Sequence, residues 1–255
     1  MFAIFKKELR SYFINAIGYV YVGVFLAAAA LLCCYTTIGS NSYDTSRYFL
    51  MMLFSFIVLI PLLTMKLFAE EKKLRTEQLL MTAPISTWSM IMGKFFAAFT
   101  LFAGTVAVSC VNFIPIYVYG QMERDSAGYA EGFDRWTDIH IGPLTSHIIA
   151  CLLGIILIGA AFISIGLFIS SLTENQLAAA IMTVAILFGM LILDIINPYI
   201  SVYAIRFVVS WFCIITRFEN FSVGLLDYSA ILYYLSITGI FLMLTVRVYE
   251  RRRWA

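Results

Sequence analysis

Charged residues are scarce in this sequence, since they make up 13% of its 255 residues, whereas 62% are hydrophobic. The mean hydropathy of +0.91 lies well outside the range of soluble domains. A soluble domain of this length buries one core, but it cannot hide several apolar runs of about 20 residues, each long enough to cross about 30 Å of hydrocarbon. The composition therefore predicts an integral membrane protein.

The usual signatures of catalysis and of nucleotide binding are also missing. The sequence has no Gly-x-x-x-x-Gly-Lys-Ser/Thr run to cradle a nucleotide phosphate. Its two histidines, His140 and His147, lie in or beside one polar loop, without a cysteine or carboxylate arranged as a helical ligand motif. We therefore expect no catalytic residue, no metal site and no cofactor in this chain.

Cysteines are few and lack the spacing of a disulfide framework or a zinc site. All of them stand in apolar surroundings, where we expect them to be small buried hydrophobic side chains: Cys33, Cys34, Cys110, Cys151 and Cys213.

Ionisable residues are nearly absent from the apolar runs, which argues against an ion-coupled secondary transporter. Such a transporter keeps charged groups near the membrane midplane, although each costs about 2.5 to 3.5 kcal/mol to insert. Asp194 is the exception, near the end of the fifth run and close to Asn197-Pro198. Two interpretations stay open for it, namely helix-end solvation or a hydrogen bond to the following segment, and a gating or substrate contact.

Six apolar runs predict six membrane-spanning helices, at about 17–38, 48–67, 95–119, 147–170, 176–196 and 230–246. The first run is longer than the apolar part of a signal peptide, so we expect an uncleaved helix. Of the 17 Lys and Arg residues, twelve lie on the side of the two termini and of the loop between the second and third runs: Lys6, Lys7, Arg10, Lys66, Lys72, Lys73, Arg75, Lys94, Arg247, Arg251, Arg252 and Arg253. By the positive-inside rule these parts are cytoplasmic, in a bacterial inner membrane.

The segment before the first run has the pattern of an amphipathic helix. Lys6, Lys7 and Arg10 fall on one side of it, and the opposite face is apolar, formed by Phe2, Phe5, Leu9, Tyr12 and Phe13. This pattern is typical of a helix that lies in the membrane interface, although a simple cationic anchor for the first span fits it equally well. In both cases the cations would be attracted to anionic lipids.

Two segments on the other side of the membrane are not predicted to be membrane-spanning helices. The loop at about 121–146 carries acidic residues and glycines without helical periodicity, and is expected to be an outer loop. The apolar stretch 202–215 is short, is interrupted by Arg206, and follows a helix-breaking Asn197-Pro198. If it spanned the membrane, the terminal arginines would lie outside, so we predict a re-entrant outer hairpin at about 198–228.

The loop at about 69–92 is densely charged, then apolar, then broken by proline. Its leucines predict an apolar patch on a short cytoplasmic helix, which would leave Glu70, Glu71, Arg75 and Glu77 available to a soluble partner. An ordinary solvated loop explains the same residues.

Three stretches resemble the ABC-2 type permease family, in particular its gliding-motility-associated permease group. The first is Glu70-Glu71, basic residues, Thr76-Glu77-x-Leu79-Leu80-x-x-x-Pro84 and then Gly93-Lys94. The second is the run 166–176, from Gly166-Leu167-Phe168 to Glu174-Asn175-Gln176. The third runs from Arg217-Phe218-Glu219-Asn220-Phe221 to the terminal arginines. Arg75 departs from the family, which usually has Gly before the Thr.

The resemblance implies a half-transporter and not an enzyme, because a separate ATPase subunit, in two copies, binds ATP and Mg and hydrolyses the nucleotide. The loop after the second span would be a coupling helix docked on that ATPase, and the ATPase-coupling residues would be Glu70, Glu71, Arg75, Thr76, Glu77, Leu80, Pro84 and, in a smaller second contact, Glu174.

The same resemblance implies further partners. A second permease chain would complete a homodimer or heterodimer around the translocation pathway of an exporter, and an auxiliary subunit with an outer domain would fit beside it. No nucleic acid partner is expected. A different class of function also stays open, namely a non-transporting membrane scaffold that uses the same loops to hold partner proteins.

Overall fold

The computed structural model describes residues 1–40, 45–73, 75, 86–126 and 145–254. All regular structure in these residues is helical, which confirms the all-α prediction for this part of the chain. The helices are α1 (Phe2–Ile14), α2 (Ala16–Cys33), α3 (Ser46–Thr64), α4 (Lys66–Lys73), α5 (Thr87–Ser109), α6 (Phe113–Ser126), α7 (Thr145–Leu172), α8 (Gln176–Ile196), α9 (Tyr203–Ser210), α10 (Ile215–Ser222) and α11 (Tyr228–Trp254).

Six helical segments are long and apolar enough to cross a membrane, as the six apolar runs predict. They are Ala16–Thr37, Ser46–Lys73, Thr87–Met122, Thr145–Leu172, Gln176–Tyr199 and Tyr228–Arg251. The third begins at Thr87, earlier than the expected start near residue 95, so Lys94 lies inside a helix and not in a loop. Most of the expected outer loop at 121–146 lies outside the described residues.

The core lies between α3 and α7, the two most buried of these segments. Helix α7 packs against α3, α5, α8, α10 and α11. Aromatic side chains fill the space between α2, α3 and α5, where the Phe56 and Phe102 rings meet edge to face at 5.2 Å and Phe25 stacks on Phe56 at 6.0 Å. The outer face of α8 keeps large apolar residues exposed, as expected for contact with lipid or another membrane helix.

The close approach of α5 to α7 depends on a glycine. A Cβ added at Gly159 would lie 2.1 Å from Cε1 of Phe102, whose ring is fully buried. At Gly189, on the exposed side of the bundle, an added Cβ would meet nothing within 4 Å. Alanine at position 159 must displace the Phe102 ring, whereas alanine at position 189 changes only the backbone preference. The two substitutions therefore distinguish the packing effect of glycine from its backbone effect.

We expect Gly159→Ala to lower the free energy of unfolding by about 1 to 3 kcal/mol, because Phe102 must leave its buried position to admit the methyl group. Gly189→Ala, the matched control, should be neutral or slightly stabilising, since alanine is the better helix former. Thermal unfolding of the protein purified in mild detergent measures both. Equal melting temperatures for the two variants would contradict the packing explanation.

The segment between α8 and α11 contains two short helices. Helix α9 buries none of its side chains. Helix α10 packs on α7 through Phe218 and Phe221, which occupy the space beside Gly154. At the other end of α7, residues near Ser170 contact α4. Because about 16 residues of helix at 1.5 Å each separate these contacts, α4 and α10 lie at opposite ends of the molecule, roughly 24 Å apart along α7.

Helices α3 and α4 follow one another with only a turn at Met65, so that the segment Ser46–Lys73 has 28 residues. At 1.5 Å per residue this is about 42 Å, which exceeds about 30 Å of hydrocarbon. Helix α4 carries most charged residues of the segment, and its length of 8 residues matches the excess. Most charged residues of the segment and its excess length therefore coincide in α4, at one end of the bundle.

Candidate functional site

A buried lysine joins three helices at the α4 end of the molecule. The Lys94 side chain of α5 is fully buried. Its ammonium lies 2.9 Å from Oε1 of Glu8 in α1 and 2.9 Å from Oε2 of Glu71 in α4. It also donates a hydrogen bond of 2.7 Å to the carbonyl of Leu67. Burying a cation is costly unless the cation is paired and hydrogen-bonded, and these three partners of Lys94 offset that cost.

A second lysine extends this group toward the surface. Lys7, whose side chain is 58% exposed, places its ammonium 3.2 Å from Oε1 of Glu71 and 3.8 Å from Oε1 of Glu8. Partial burial alone would lower the pKa of Lys7, but the carboxylates of Glu71 and Glu8 outweigh it, and the pKa is raised. Lys7, Glu8, Glu71 and Lys94 are called the Lys94 cluster below; it has two charges of each sign.

Lys66 lies beside the cluster. Its ammonium is buried, sits 4.4 Å from the centre of the Tyr12 ring, and has no hydrogen-bond partner in the part of the chain that the structure describes. Burial, with a further contribution from the charge of Glu8, raises the pKa of Tyr12 well above its usual value. The Tyr12 hydroxyl therefore stays protonated and donates to the carbonyl of Leu63 at 2.8 Å.

Helix α4 is also fixed to the end of α7. The Ser170 hydroxyl oxygen accepts hydrogen bonds from the backbone N–H groups of Phe68 and Ala69, each at 3.2 Å. Lys72 donates to the carbonyl of Ser171, close to the negative end of the α7 dipole. These bonds satisfy polar groups of both helices, so that α4 and the end of α7 form one packed unit.

The last membrane helix reaches the same unit through an aromatic contact. The rings of Phe68 in α4 and Tyr249 in α11 lie 4.7 Å apart, and both side chains are buried. The Lys94 ammonium lies 5.0 Å from the centre of the Phe68 ring. Helix α4 thus contacts α1, α5, α7 and α11 within its two turns, and any displacement of α4 must be accommodated by four other helices.

The sequence-predicted coupling residues divide into three groups. Glu70 lies half-buried on α4, and Glu71 is held in the Lys94 cluster. Glu174 is exposed in the turn between α7 and α8, next to Asn175, whose side chain caps α8. Thr76, Glu77, Leu80 and Pro84 lie outside the described residues, and Arg75, the remaining member of this set, follows α4.

Arg75 ends α4 in a conformation that suits glycine. Its φ is +56°, in the left-handed region, and its N–H donates to the carbonyl of Lys72 at 3.0 Å. Such a residue after a helix is most often glycine, because a Cβ costs roughly 1 to 2 kcal/mol in this region. Glycine at this position, as in the permeases that the sequence resembles, would adopt the same backbone without this cost.

Asp194 organises the opposite end of the molecule. Its buried carboxylate accepts hydrogen bonds from the N–H groups of Ile214 at 2.7 Å, Ile215 at 2.9 Å and Thr216 at 3.2 Å, and from the Thr216 hydroxyl at 2.9 Å. Asp194 therefore caps α10 from a different helix. The hydrogen bond to the following segment is thus observed, and a gating or substrate contact of Asp194 stays a prediction.

Three members of the Lys94 cluster, namely Lys7, Glu8 and Lys94, were not predicted as site residues from the sequence. The buried face of α1 consists of Ile4, Glu8 and Tyr12, at intervals of four residues, whereas Phe2 is 76% exposed. The apolar face assigned from the sequence left Glu8 out, because a lone carboxylate was not expected in a buried row. Two features of the sequence could have indicated this ion pair. Glu8 lies at helical spacing between Ile4 and Tyr12, and Lys94 lies within an apolar stretch that offers it no local partner.

Metal and redox chemistry find no support in the described residues. No three His, Cys, Asp or Glu side chains are grouped there to hold a metal ion. Cys33, Cys151 and Cys213 are buried free thiols, as predicted, whereas Cys34 is exposed. At the α4 end of the molecule, paired charges and backbone hydrogen bonds instead connect α4 to the membrane helices.

Comparison with protein families identifies the family of the chain. The family model described as ABC-2 family transporter protein matches residues 15–248, which is most of the chain. No curated protein matches the sequence.

Proposed function

Because the chain belongs to the ABC-2 family of transporter proteins, and is thus a multi-pass membrane protein, we propose that it is the permease subunit of an ATP-driven exporter. On this proposal a separate ATPase subunit, in two copies, binds ATP and Mg and docks on α4 and the residues that follow it. A second permease chain completes the pathway, both termini are cytoplasmic, and the membrane is the bacterial inner membrane. The α9–α10 pair forms the re-entrant outer hairpin.

The observation that carries the proposal is the attachment of α4 to the bundle. Helix α4 carries most charged residues of its segment, and Lys94 connects it to α1 and α5 through ion pairs of 2.9 Å. A solvated loop would need no such fixation. A helix that transmits force from a soluble subunit does need it, because a loosely attached helix would move without displacing the membrane helices.

The mechanism follows from these contacts. Closure of the two ATPases on ATP would push on α4, and the packed unit of α4 and the α7 end would move with it. Helix α7 also packs against α10 at the opposite end of the molecule. Tilting of α7 would therefore change the packing of α10. The ATPases supply energy by binding one arrangement of the permease pair better than the other.

The test measures ATPase activity of proteoliposomes that contain the permease and its co-purified ATPase. Glu70→Lys is the informative variant, because Glu70 is only half-buried and Glu71 is occupied within the chain. We expect roughly tenfold less permease-dependent ATPase activity, since a like-charge contact at an interface costs on the order of 1 kcal/mol or more. Glu219→Lys is the control, because that exposed residue lies on α10, at the opposite end.

The outcomes separate the proposals. An ATPase that co-purifies but responds equally to Glu70→Lys and Glu219→Lys would show that α4 is not the coupling contact. Absence of any co-purifying ATPase, together with capture of a different protein through the same loop, would favour the membrane scaffold.

A further inference from the structure

Helix α1 turns its carboxylate inward and its cations outward. Glu8 faces the bundle, where Lys94 neutralises it at 2.9 Å. Lys6 and Arg10 are exposed on the opposite side, four residues apart and hence on one face of the helix. No ion pair of Lys6 or Arg10 occurs within the described ranges. The outer face of α1 is therefore positive with no acidic residue of its own helix on it.

These cations line an open recess together with smaller neighbours. The recess is a shallow, open face of one helix, bounded by Ala3, Lys6, Lys7, Arg10, Ser11 and Ile14. Three cationic groups and one hydroxyl thus lie side by side on this face, with an apolar residue at each end. Donors of this kind suit the oxygens of a phosphate group.

The position of the recess favours a lipid over a soluble partner. The first membrane segment begins at Ala16, immediately after the extended residue Asn15 that ends α1. Arg10 and Ile14 therefore lie within about two helical turns of the membrane boundary. Ile14, at one end of the recess, is 70% exposed, and Tyr19 in the next helix is 63% exposed. In a bilayer the lipid phosphates lie next to the acyl chains. The cations of α1 would meet the phosphates, and the apolar side chains beside them would meet the acyl chains.

We propose that this recess binds the phosphate of an anionic phospholipid headgroup. Lys6 and Arg10 make the main contacts. Lys7 contributes one of its three donors while another stays on Glu71, at 3.2 Å. The lipid is thereby linked through Glu71 to α4, the helix assigned above to coupling, and this link alone rests on the proposed function. A bound headgroup would stabilise the α1–α4 contact and so the folded protein.

The test uses native mass spectrometry of the purified permease without any ATPase, with phosphatidylglycerol or phosphatidylcholine added in detergent. We expect preferential binding of phosphatidylglycerol, reduced about 25-fold in the double variant Lys6→Gln/Arg10→Gln, because each charge near an anionic surface contributes about fivefold. The exchange Lys6→Arg/Arg10→Lys should retain binding. Arg247→Gln is the matched control, an arginine 79% exposed on α11.

Three results would overturn the inference. One is unchanged phosphatidylglycerol binding in the double variant, and another is an equal loss in Arg247→Gln, which would indicate general charge attraction. The third is full competition by millimolar inorganic phosphate, which would identify a free-phosphate site. If lipid binding is unchanged while the double variant loses its co-purifying ATPase, the face binds protein. Because the lipid measurement contains no ATPase, it can fail or succeed independently of the proposed function.

Discussion

Lys94→Met is expected to lower the free energy of unfolding by about 3 to 5 kcal/mol, the cost of removing one partner from a buried ion pair. Methionine fills a similar volume, so loss of packing contributes little. The carboxylates of Glu8 and Glu71, each 2.9 Å from the Lys94 ammonium in the native protein, would face one another without a buried cation between them. Thermal or denaturant unfolding in mild detergent measures the loss.

A rescue experiment separates charge from shape. In the triple variant Lys94→Met/Glu8→Gln/Glu71→Gln, no uncompensated charge is buried, so most of the stability should return. Lys73→Met, at the exposed end of α4, should change the stability by less than about 0.5 kcal/mol. A triple variant as unstable as Lys94→Met would mean that lysine acts through packing or through its bond to the Leu67 carbonyl.

Asp194→Ala is expected to lower the free energy of unfolding by about 3 kcal/mol, because it leaves the first N–H groups of α10 without an acceptor in a buried place. Asp227→Ala is the control, since Asp227 is exposed and caps α11 through the Ser229 N–H at 2.8 Å. An exposed cap can be replaced by water, so that variant should lose about 1 kcal/mol at most. Equal losses would contradict the role of burial.

The reactivity of the Cys213 thiol measures the effect of Asp194→Ala on the structure around α10. Burial, with the nearby charge of Asp194, raises the pKa of Cys213 to about 11. Alkylation requires the thiolate, so the wild-type thiol should react slowly at pH 8 and faster as the pH approaches 11. In Asp194→Ala both causes weaken, and the reaction at pH 8 should accelerate about tenfold, as read from the Cys213 peptide by mass spectrometry. An unchanged rate would mean that α10 keeps its position without the carboxylate.

The membrane segments were predictable from sequence because their signal is local. A run of about 20 apolar residues has few alternatives to a membrane helix. Five of the six predicted runs lie within the observed segments, and the first, 17–38, ends one residue beyond Ala16–Thr37. The start of the third segment was misplaced because Lys94 looked like the end of a loop. Its neutralising partner Glu8 is 86 residues away in the sequence, and no local pattern reveals a pair at that distance.

The candidate site was predictable only in outline. The sequence predicted that Glu71 is available to a soluble partner, whereas its carboxylate is bonded to Lys94 and Lys7. Charge in a sequence does not indicate which side of a helix is covered. For Asp194 the adjacent Asn197-Pro198 did indicate a helix end that needs hydrogen bonds, and a bond to the following segment was one of the two interpretations. The coupling roles of Thr76, Glu77, Leu80 and Pro84 stay predictions.

The order of the Lys94 cluster along the chain has a consequence for biosynthesis. The ribosome makes Glu8 and Glu71 before Lys94, so a nascent chain has both carboxylates before the cation that neutralises them. Until α5 has entered the bilayer, α1 and α4 cannot take their final places without burying unpaired charge. Insertion of α5 is therefore the step that lets the N-terminal helix dock, because a chain that stops short of it has two carboxylates at this place and only the half-exposed Lys7 beside them.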